Sequence, residues 1–383
     1  MDQPVQFIPS QRRLFSIPEA VTYFNCAYLS PLFEDALKAG ELGLRRKTTP
    51  WEVFPDDFFE ESDRLRELFA RLIGARGKDI SILPSVSYGM AVAAKNLPCP
   101  PGSRILTLAE QFPSNVYIWR HLARENGAEV HAVPRPGNDD WSGAVLERLD
   151  ETIAFAALPH CHWADGCMLD LKAISEKCRR LEIPLVLDVT QSLGVVHLDV
   201  ETIQPAFLVA SCYKWLLGPY SLAYMYVNPA YHRGDPLEYN WMARVGSRNF
   251  SGLVNYTDEM AADASRFDVG ERSNFILLPM AIAALERILA WGVDRIEATL
   301  AAYNRKIIDR ARAMGFRALS PPHGSPHLIG LRSPDPLPVD LTSRLVQKNV
   351  YVSVRGDAIR VAPYLYNDER DMDRFFDALK FCL

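Results

Sequence analysis

The segments Pro184-Leu185-Val186-Leu187-Asp188 and Phe207-Leu208-Val209-Ala210-Ser211 are short apolar runs that each end in a polar residue. Runs of this length and composition predict buried β-strands. Val189-Thr190-Gln191 follows the first run, and Cys212-Tyr213-Lys214 follows the second. Because the carboxyl ends of parallel strands meet at one edge of a sheet, we expect a carboxylate and a lysine amine at the same edge.

Short apolar runs alternate with amphipathic segments from about residue 79 to residue 227. Amphipathic patterns at 115–125 and 171–181 have the length and spacing of covering helices. Such alternation predicts an α/β fold, with a mostly parallel sheet and helices on both faces. The predicted strands are 104–108, 129–133, 153–158, 184–188, 207–210 and 222–227.

The pattern changes after about residue 260, which divides the chain into a large domain at 21–260 and a small α+β domain at 261–383. The segment 1–20 contains Pro4, Pro9 and Pro18 and is expected to pack on the small domain. In the small domain, the predicted helices are 279–291, 293–314, 339–349 and 369–379, and the predicted strands are 327–331, 351–354 and 358–361.

The composition excludes several function classes. The 383 residues are 48% hydrophobic and 23% charged, with a formal net charge of −5, so neither nucleic acid nor an anionic membrane is an expected partner. No apolar run is long enough to span a bilayer, and Met1-Asp2-Gln3-Pro4 does not begin a secretion signal, so we expect a cytoplasmic protein. The seven cysteines indicate reduced thiols, and the cluster from His160 to Cys167 lacks zinc-site spacing, so no metal is predicted.

The lysine and the aspartate suit an enzyme that holds pyridoxal phosphate as a Schiff base. Lys214 supplies the amine, and Asp188 beside the pyridinium nitrogen keeps the ring protonated and electron-withdrawing. Hydroxyls of Ser211 and Tyr213 flank the lysine and could hydrogen-bond a phosphate. Taken singly, Lys214 could be a surface cation and Asp188 could cap a loop.

Three further residues fit this interpretation. Ser87, at the start of the predicted helix 88–96, is placed as both helix cap and phosphate ligand. Phe112 follows another strand end and could stack on a flat heteroaromatic ring. Arg360, in a strand of the small domain, suits a bidentate grip on a carboxylate, with Arg355 as a competitor. Each also has an ordinary structural alternative: an unliganded cap, a core aromatic or a surface charge.

From Tyr23-Phe24-Asn25-Cys26-Ala27 through Tyr364-Leu365-Tyr366-Asn367-Asp368, the chain resembles class V aminotransferase-fold enzymes. This is the fold-type I pyridoxal phosphate group that includes cysteine desulfurases, kynureninases and isopenicillin-epimerase-like proteins. The resemblance implies a mostly parallel seven-stranded sheet and a smaller α+β C-terminal domain. It also implies an α-amino acid substrate.

The resemblance also implies residue roles. Lys214 forms the Schiff base and shuttles the α-proton, Asp188 pairs with the ring nitrogen, and Gln191 contacts the ring oxygen. Arg360 binds the α-carboxylate of the substrate, with Asn25 as a second substrate contact. The other implied cofactor contacts are Val86, Ser87, Phe112, His162, Ser211 and Tyr213.

In such enzymes, dimers share active sites. Gly270-Glu271-Arg272-Ser273-Asn274 occupies the position of a loop that reaches the phosphate of the neighbouring subunit, so the resemblance implies a homodimer in which Ser273 or Asn274 crosses over. Cysteine desulfurases also need a nucleophilic cysteine on a mobile loop of the small domain. The segment 320–340 contains no cysteine, which argues against persulfide formation.

Three functions therefore remain. The first is transamination of an α-amino acid, or closely related chemistry at its Cα or Cβ atom. The second is β-elimination by a C–S lyase acting on a sulfur-containing amino acid, and the third is a catalytically silent protein that binds pyridoxal phosphate. A nucleotide-dependent oxidoreductase would need a glycine fingerprint after its first strand, and none is present.

Overall fold

The structure is a computed structural model that describes residues 6–383. Helices and strands are numbered separately in chain order. The strands are β1 Thr22–Tyr23, β2 Ile80–Leu83, β3 Arg104–Leu108, β4 Glu129–Val133, β5 Ile153–Pro159, β6 Leu185–Asp188, β7 Phe207–Ser211, β8 Ala223–Val227, β9 Ile329–Arg332, β10 Val350–Tyr351, β11 Ser353–Arg355 and β12 Ala358–Val361. The α-helices are α1 Glu34–Arg46, α2 Glu60–Ile73, α3 Val86–Asn96, α4 Tyr117–Asn126, α5 Trp141–Arg148, α6 Leu171–Arg180, α7 Val200–Ile203, α8 Leu277–Trp291, α9 Val293–Ala313, α10 Leu341–Gln347 and α11 Glu369–Cys382.

Seven strands form the main sheet, in the order β2-β8-β7-β6-β5-β3-β4. Strand β8 is antiparallel to both of its neighbours, and the other adjacent pairs are parallel. This confirms the predicted α/β fold with a mostly parallel sheet. Pro159 pairs with Asp188, and Asp188 pairs with Val209, so the carboxyl ends of β5, β6 and β7 lie side by side.

Helices cover both faces of the main sheet. Leu185 and Leu187 of β6 belong to one hydrophobic cluster, with α2, α5, α6 and α8. Val186, between them, belongs to a second cluster, with α3 and α4. Because successive side chains of a strand point to opposite faces, the two clusters are the two sides of one sheet. Both faces are therefore buried, which explains why these strands are continuous apolar runs.

A third cluster forms the core of a smaller lobe. It contains Phe24, the end of α9 from Ile307, the antiparallel sheet β11-β12-β9, and helices α10 and α11. The predicted strand at 351–354 is divided, because β10 pairs with β1 whereas β11 pairs with β12. Helix α8 packs in the first cluster, so the predicted division at residue 260 stays a prediction.

The N-terminal segment contacts both lobes. Ile8 and Phe15 are buried in the first cluster. Arg12 makes an ion pair with Asp371 of α11 (3.0 Å), and the backbone N–H of Gln11 donates to the carbonyl of Leu365 (2.7 Å). Residues 1–5 of the predicted segment 1–20 lie outside the described residues. Within residues 6–383, no helix combines the length and the apolar character that crossing a bilayer requires.

Helix α3 packs directly on the main sheet at Gly89. A Cβ atom added there would lie 2.8 Å from Cγ2 of Val209 on β7. We expect Gly89→Val to lower the free energy of unfolding by about 1–3 kcal/mol, because the extra atoms overfill a close-packed contact. Chemical denaturation would measure this. Gly137→Val is the matched control, since an added Cβ there meets nothing within 4 Å; equal stability of the two variants would contradict the packing argument.

Candidate active site

A cavity of about 310 Å³ opens at the edge where β5, β6 and β7 end. Eight of the sequence-predicted residues line it: Val86, Ser87, Phe112, Asp188, Gln191, Ser211, Tyr213 and Lys214. We call this the first cavity. The structure therefore brings the predicted lysine, carboxylate, hydroxyls and aromatic ring to one place.

Lys214 is held by the tight loop that follows β7. The backbone N–H of Leu217 donates to the Lys214 carbonyl (3.1 Å), and the N–H of Gly218 donates to the Cys212 carbonyl (2.9 Å). Gly218 is required at this turn, because an added Cβ would lie 2.2 Å from Sγ of Cys212. The loop returns the chain into β8 and leaves the lysine side chain in the cavity.

The lysine amine is buried, and burial and nearby charges shift its pKa. Lys214 is 6% exposed, and its Nζ lies 5.2 Å from the centroid of the Phe112 ring. Burial lowers the pKa of Lys214 to about 8; the charge of Asp188 opposes this shift, whereas Arg360 and Arg355 add to it. Because a buried ammonium is disfavoured, the neutral, nucleophilic amine is accessible near neutral pH.

Asp188 is a buried carboxylate at the end of β6. Its Oδ1 accepts a hydrogen bond from the backbone N–H of Thr190 (3.0 Å). Burial raises the pKa of Asp188, and this rise is opposed by the hydrogen bonds of Thr190 and by the charge of Lys214. The hydroxyl of Thr190 in turn accepts from the N–H of Ser211 (3.1 Å), which ties the end of β6 to the end of β7.

The side-chain amide of Gln191 is held on two sides. Its Oε1 accepts from the indole N–H of Trp215 (2.8 Å), and its Nε2 donates to the carbonyl of Ala27 (3.1 Å). An amide nitrogen carries two hydrogens, so one N–H of Gln191 remains for a ligand in the first cavity. The sequence analysis placed Gln191 here but could not identify its partners, which are distant in the chain.

The amino end of α3 faces the first cavity. The helix begins at Val86, and its N-cap is Ser85, whose Oγ accepts from the N–H of Tyr88 (3.2 Å). Ser87 is therefore not the cap that the sequence analysis expected, and its hydroxyl is not used for capping. Across the cavity, Oγ of Ser211 is buried without a hydrogen-bond partner. Free backbone N–H groups and unpartnered hydroxyls favour an anionic group between them.

A second cavity of about 400 Å³ adjoins the first. The two share the walls Phe112, Trp163, Tyr213, Lys214 and Tyr220. Arg360 lines the second cavity and is only 2% exposed. Its Nη1 donates to the carbonyl of Trp163 (3.0 Å), whereas its Nε is buried with no partner. Burial, together with the charge of Arg355, lowers the pKa of Arg360 to about 9.

His162 does not line either cavity. It is fully buried, stacks on Trp141 (centroids 5.6 Å apart, 13° between planes), and its Nδ1 lies 3.3 Å from Oδ1 of Asp165. Its neighbours Cys161 and Trp163 do line the first cavity. The position that the resemblance implied for His162 is therefore turned away from the cavity, against Trp141. Across residues 6–383, no three potential metal ligands gather into one group.

Asn25, Ser273 and Asn274 also lie outside both cavities. Oδ1 of Asn25 accepts from the hydroxyl of Ser353 (2.9 Å). The hydroxyl of Ser273 donates to the carbonyl of Phe58. The side chain of Asn274 accepts from the N–H groups at the start of α8. Within a single chain, these three residues serve the packing of loops and helix ends.

Several residues that line the cavities were not predicted from the sequence: Tyr28, Ser85, Ser114, Cys161, Trp163, Thr190, Tyr220 and Ser221. Ser85 carried a usable signal, because a serine directly before the first helical residue is the favoured N-cap. Ser221 carried no such signal. Its backbone is left-handed (φ 64°), a conformation that residues other than glycine rarely adopt.

Comparisons with known proteins identify the family of this chain. The family model described as Aminotransferase class-V matches residues 54–375. An uncharacterized aminotransferase, YcbU of Bacillus subtilis, is 27% identical over 382 residues and covers 98% of both chains. A kynureninase of Bacillus cereus is 24% identical over 254 residues, covering 64% of this chain and 59% of that protein.

Two solved structures share the fold at low identity. A mutant of C-DES with glycine covalently linked to its PLP cofactor superposes with a TM-score of 0.84, at 19% identity, over 96% of this chain and 98% of that chain. The cysteine desulfurase CsdA of Escherichia coli gives a TM-score of 0.82, at 16% identity, over 97% of both chains. Because the family model covers most of the sequence, the chain belongs to the class V aminotransferase family.

Proposed function

We propose that this protein is a pyridoxal-phosphate-dependent enzyme that acts on an α-amino acid, with Lys214 as the residue that binds the cofactor and moves the α-proton. The observation that carries the proposal is the buried amine of Lys214, with a pKa lowered to about 8, in the same cavity as the buried carboxylate of Asp188. Perturbed groups of opposite charge in one cavity are typical of catalytic sites.

The residues present fit the cofactor of the family. Ser211 offers a buried hydroxyl without a partner, and the N–H groups of Val86 and Ser87 open helix α3 beside it. These groups would hold the phosphate. Phe112 offers an aromatic face within the same cavity. When bound, pyridoxal phosphate supplies an aldehyde and an electron-withdrawing ring.

Asp188 and Gln191 would set the protonation of the ring. A buried carboxylate needs a cationic or strongly donating partner, and a protonated ring nitrogen is such a partner for Asp188. Thr190 keeps one carboxylate oxygen in place through its backbone N–H, so the other oxygen is available. The free amide hydrogen of Gln191 would donate to the ring oxygen.

Lys214 is suited to move a proton in both directions. A group with a pKa near the working pH is both an effective acid and an effective base. Arg360 would orient the substrate by binding its α-carboxylate through the Nε edge that no protein group uses. Lys214 lines both cavities and therefore lies between the two proposed binding regions.

Two reaction types compete within this proposal, transamination and β-elimination. Persulfide formation by a cysteine nucleophile is not supported, because no cysteine lines the second cavity within residues 6–383. Cys161 lines the first cavity, but burial raises its pKa and keeps it a thiol. A catalytically silent cofactor-binding protein is the remaining alternative.

Single-turnover assays separate the two reaction types. The amine form of the cofactor accumulates in transamination, whereas in β-elimination ammonia and a keto acid appear without the amine form.

Replacing Lys214 tests the central role. We expect Lys214→Ala to lose the visible absorbance band of the bound cofactor and to lower kcat by about 10²- to 10⁴-fold or more, because both the anchor and the acid–base group are lost. Arg360→Gln should mainly raise KM, by about tenfold or more, because it removes a charge-assisted hydrogen bond to the substrate. Normal turnover in Lys214→Ala would refute the mechanism.

The pH dependence of cofactor capture follows from the lowered pKa of Lys214. Only the neutral amine attacks an aldehyde, so the rate at which cofactor-free protein takes up pyridoxal phosphate should rise with pH and level off above about 8. Stopped-flow absorbance between about pH 7 and pH 10 would measure this rate. The range lies above the second pKa of the cofactor phosphate, which is about 6. A rate that keeps rising toward the ordinary lysine pKa of about 10.4 would contradict the assignment.

We further propose a homodimer in which Ser273 or Asn274 reaches the cofactor phosphate of the partner subunit. Neither residue lines the first or the second cavity of its own chain, and both adjoin an aromatic group of Phe58, Trp241, Phe250 and Phe275. Trp51 and Tyr256 are 74% and 96% exposed, and aromatic side chains of this kind are enriched at protein interfaces.

Light scattering should therefore give twice the chain mass. Ser273→Ala and Asn274→Ala should be tested separately, and at least one should weaken cofactor affinity about fivefold through the loss of one hydrogen bond. Ser251→Ala is a control in a nearby exposed turn. A monomer that binds the cofactor fully would contradict the shared site.

A further inference from the structure

The second cavity is strongly cationic. Its lining includes Lys214, Arg355 and Arg360, and no aspartate or glutamate among residues 6–383 lines it. The charge of Asp188 in the adjoining first cavity acts on Lys214, so a single α-carboxylate bound at Arg360 would leave Arg355 without an anion. A site with unmatched positive charges favours ligands that carry more than one negative charge.

The small sheet places the two arginines side by side. In the antiparallel pair β11 and β12, Ser353 lies opposite Arg360, so Arg355 is the diagonal neighbour of Arg360 on the same face. Diagonal neighbours of this kind lie roughly 7–8 Å apart, and their Cβ atoms somewhat closer, within reach of long side chains. Two guanidinium groups are therefore presented toward the same space by a rigid pair of strands.

A third arginine on this face, Arg332, is neutralised by carboxylates, whereas Arg355 is not. Arg332 lies beside Ala358 in the register and pairs with Asp165 (2.8 Å) and with Asp357 (3.3 Å). Asp357 is only two residues from Arg355, yet its carboxylate is used by Arg332. Within residues 6–383, neither Arg355 nor Arg360 has a carboxylate within ion-pairing distance.

Arg355 is held in place and keeps free donors. Its Nη1 donates to the carbonyl of Val354 (2.9 Å), and its guanidinium lies 5.7 Å from the centroid of the Trp163 ring. Trp163 also accepts from Arg360 through its carbonyl, so one residue supports both arginines. Stacking on an indole limits the conformations of the guanidinium and leaves its N–H edges available.

The two arginines differ in depth. Arg360 is 2% exposed, whereas Arg355 is half-buried. Arg360 is therefore suited to the α-carboxylate next to Lys214. Arg355 is suited to a group farther along the substrate. Tyr28 and Leu29 add apolar surface to the same cavity, which suits an aliphatic spacer.

We propose that Arg355 binds a second acidic group, and that the substrate is an amino acid whose side chain ends in a carboxylate. This inference rests on the proposed function and names its substrate class. Arg355 acts as a specificity-determining residue, since it contacts the far end of the substrate and not the reacting carbon.

Calorimetry on the holoenzyme tests recognition separately from chemistry. Succinate, glutarate and adipate carry two carboxylates without an amine, so they cannot react at the cofactor; butyrate and valerate carry one carboxylate. We expect at least one dicarboxylate to bind about tenfold or more tightly than the monocarboxylates. Arg355→Gln should remove this preference, and Arg355→Lys should restore part of it.

Arg317→Gln is the matched control, because it removes the same charge from an exposed arginine that lines neither cavity and makes no ion pair within residues 6–383. It should bind like the unaltered protein. Equal binding of dicarboxylates and monocarboxylates by the unaltered protein would overturn the proposal. So would a preference that survives Arg355→Gln, or one that Arg317→Gln removes equally.

A comparison of acidic with neutral amino acids tests whether this binding site serves the reaction. L-aspartate, L-glutamate and L-2-aminoadipate should perturb the visible cofactor band at lower concentration than L-asparagine, L-glutamine and L-norleucine, and Arg355→Gln should remove the difference. A reaction with neutral amino acids alone would overturn the acidic substrate but leave the proposed function standing. If dicarboxylates bind through Arg355 while no amino acid perturbs the band, the proposed function fails and the substrate assignment fails with it.

Discussion

The burial of two opposite charges at one sheet edge is the constraint on which the site depends. Burial raises the pKa of Asp188 and lowers that of Lys214, and each charge opposes the shift of the other. Asp188 ends β6 and Ser211 ends the neighbouring parallel strand β7, and the tight loop after β7 carries Lys214, so the strand ladder and this loop together set the separation of the two groups. Such groups are costly to bury unless each has a partner, which is why the cavity suits a polar, charged cofactor.

A buried carboxylate connects this edge to the small lobe. Asp165 pairs with Arg135 (2.6 Å) and with Arg332 of β9 (2.8 Å), and its backbone carbonyl accepts from the N–H of Gly330 (3.1 Å). Burial alone would raise the pKa of Asp165, but its basic neighbours His162, Arg135 and Arg332 hold it below the ordinary value. The small sheet is thereby held against the segment that carries Trp163, and so Arg360 and Arg355 reach the second cavity.

Local patterns were reliable where one physical effect dominated. The predicted bounds of β3, β4 and β12 match the structure to the residue, because each is a short run bounded by turns. Predictions were wrong where neighbouring residues competed for a role. Ser85, and not Ser87, caps α3, and His162 is buried against Trp141 outside the cavity, whereas its neighbours Cys161 and Trp163 line it.

The sequence by itself determined the α/β class of the main sheet and the presence of Lys214, Asp188, Gln191 and Ser211 at its carboxyl edge. Apolar runs that end in polar residues specify this through local hydrophobic patterning alone. Only the tertiary structure decided that Arg360 and Arg355 meet Trp163, and that Gln191 is held by Trp215 and Ala27. Those contacts join segments far apart in the chain, and their formation depends on strand register and lobe packing, which no local pattern encodes.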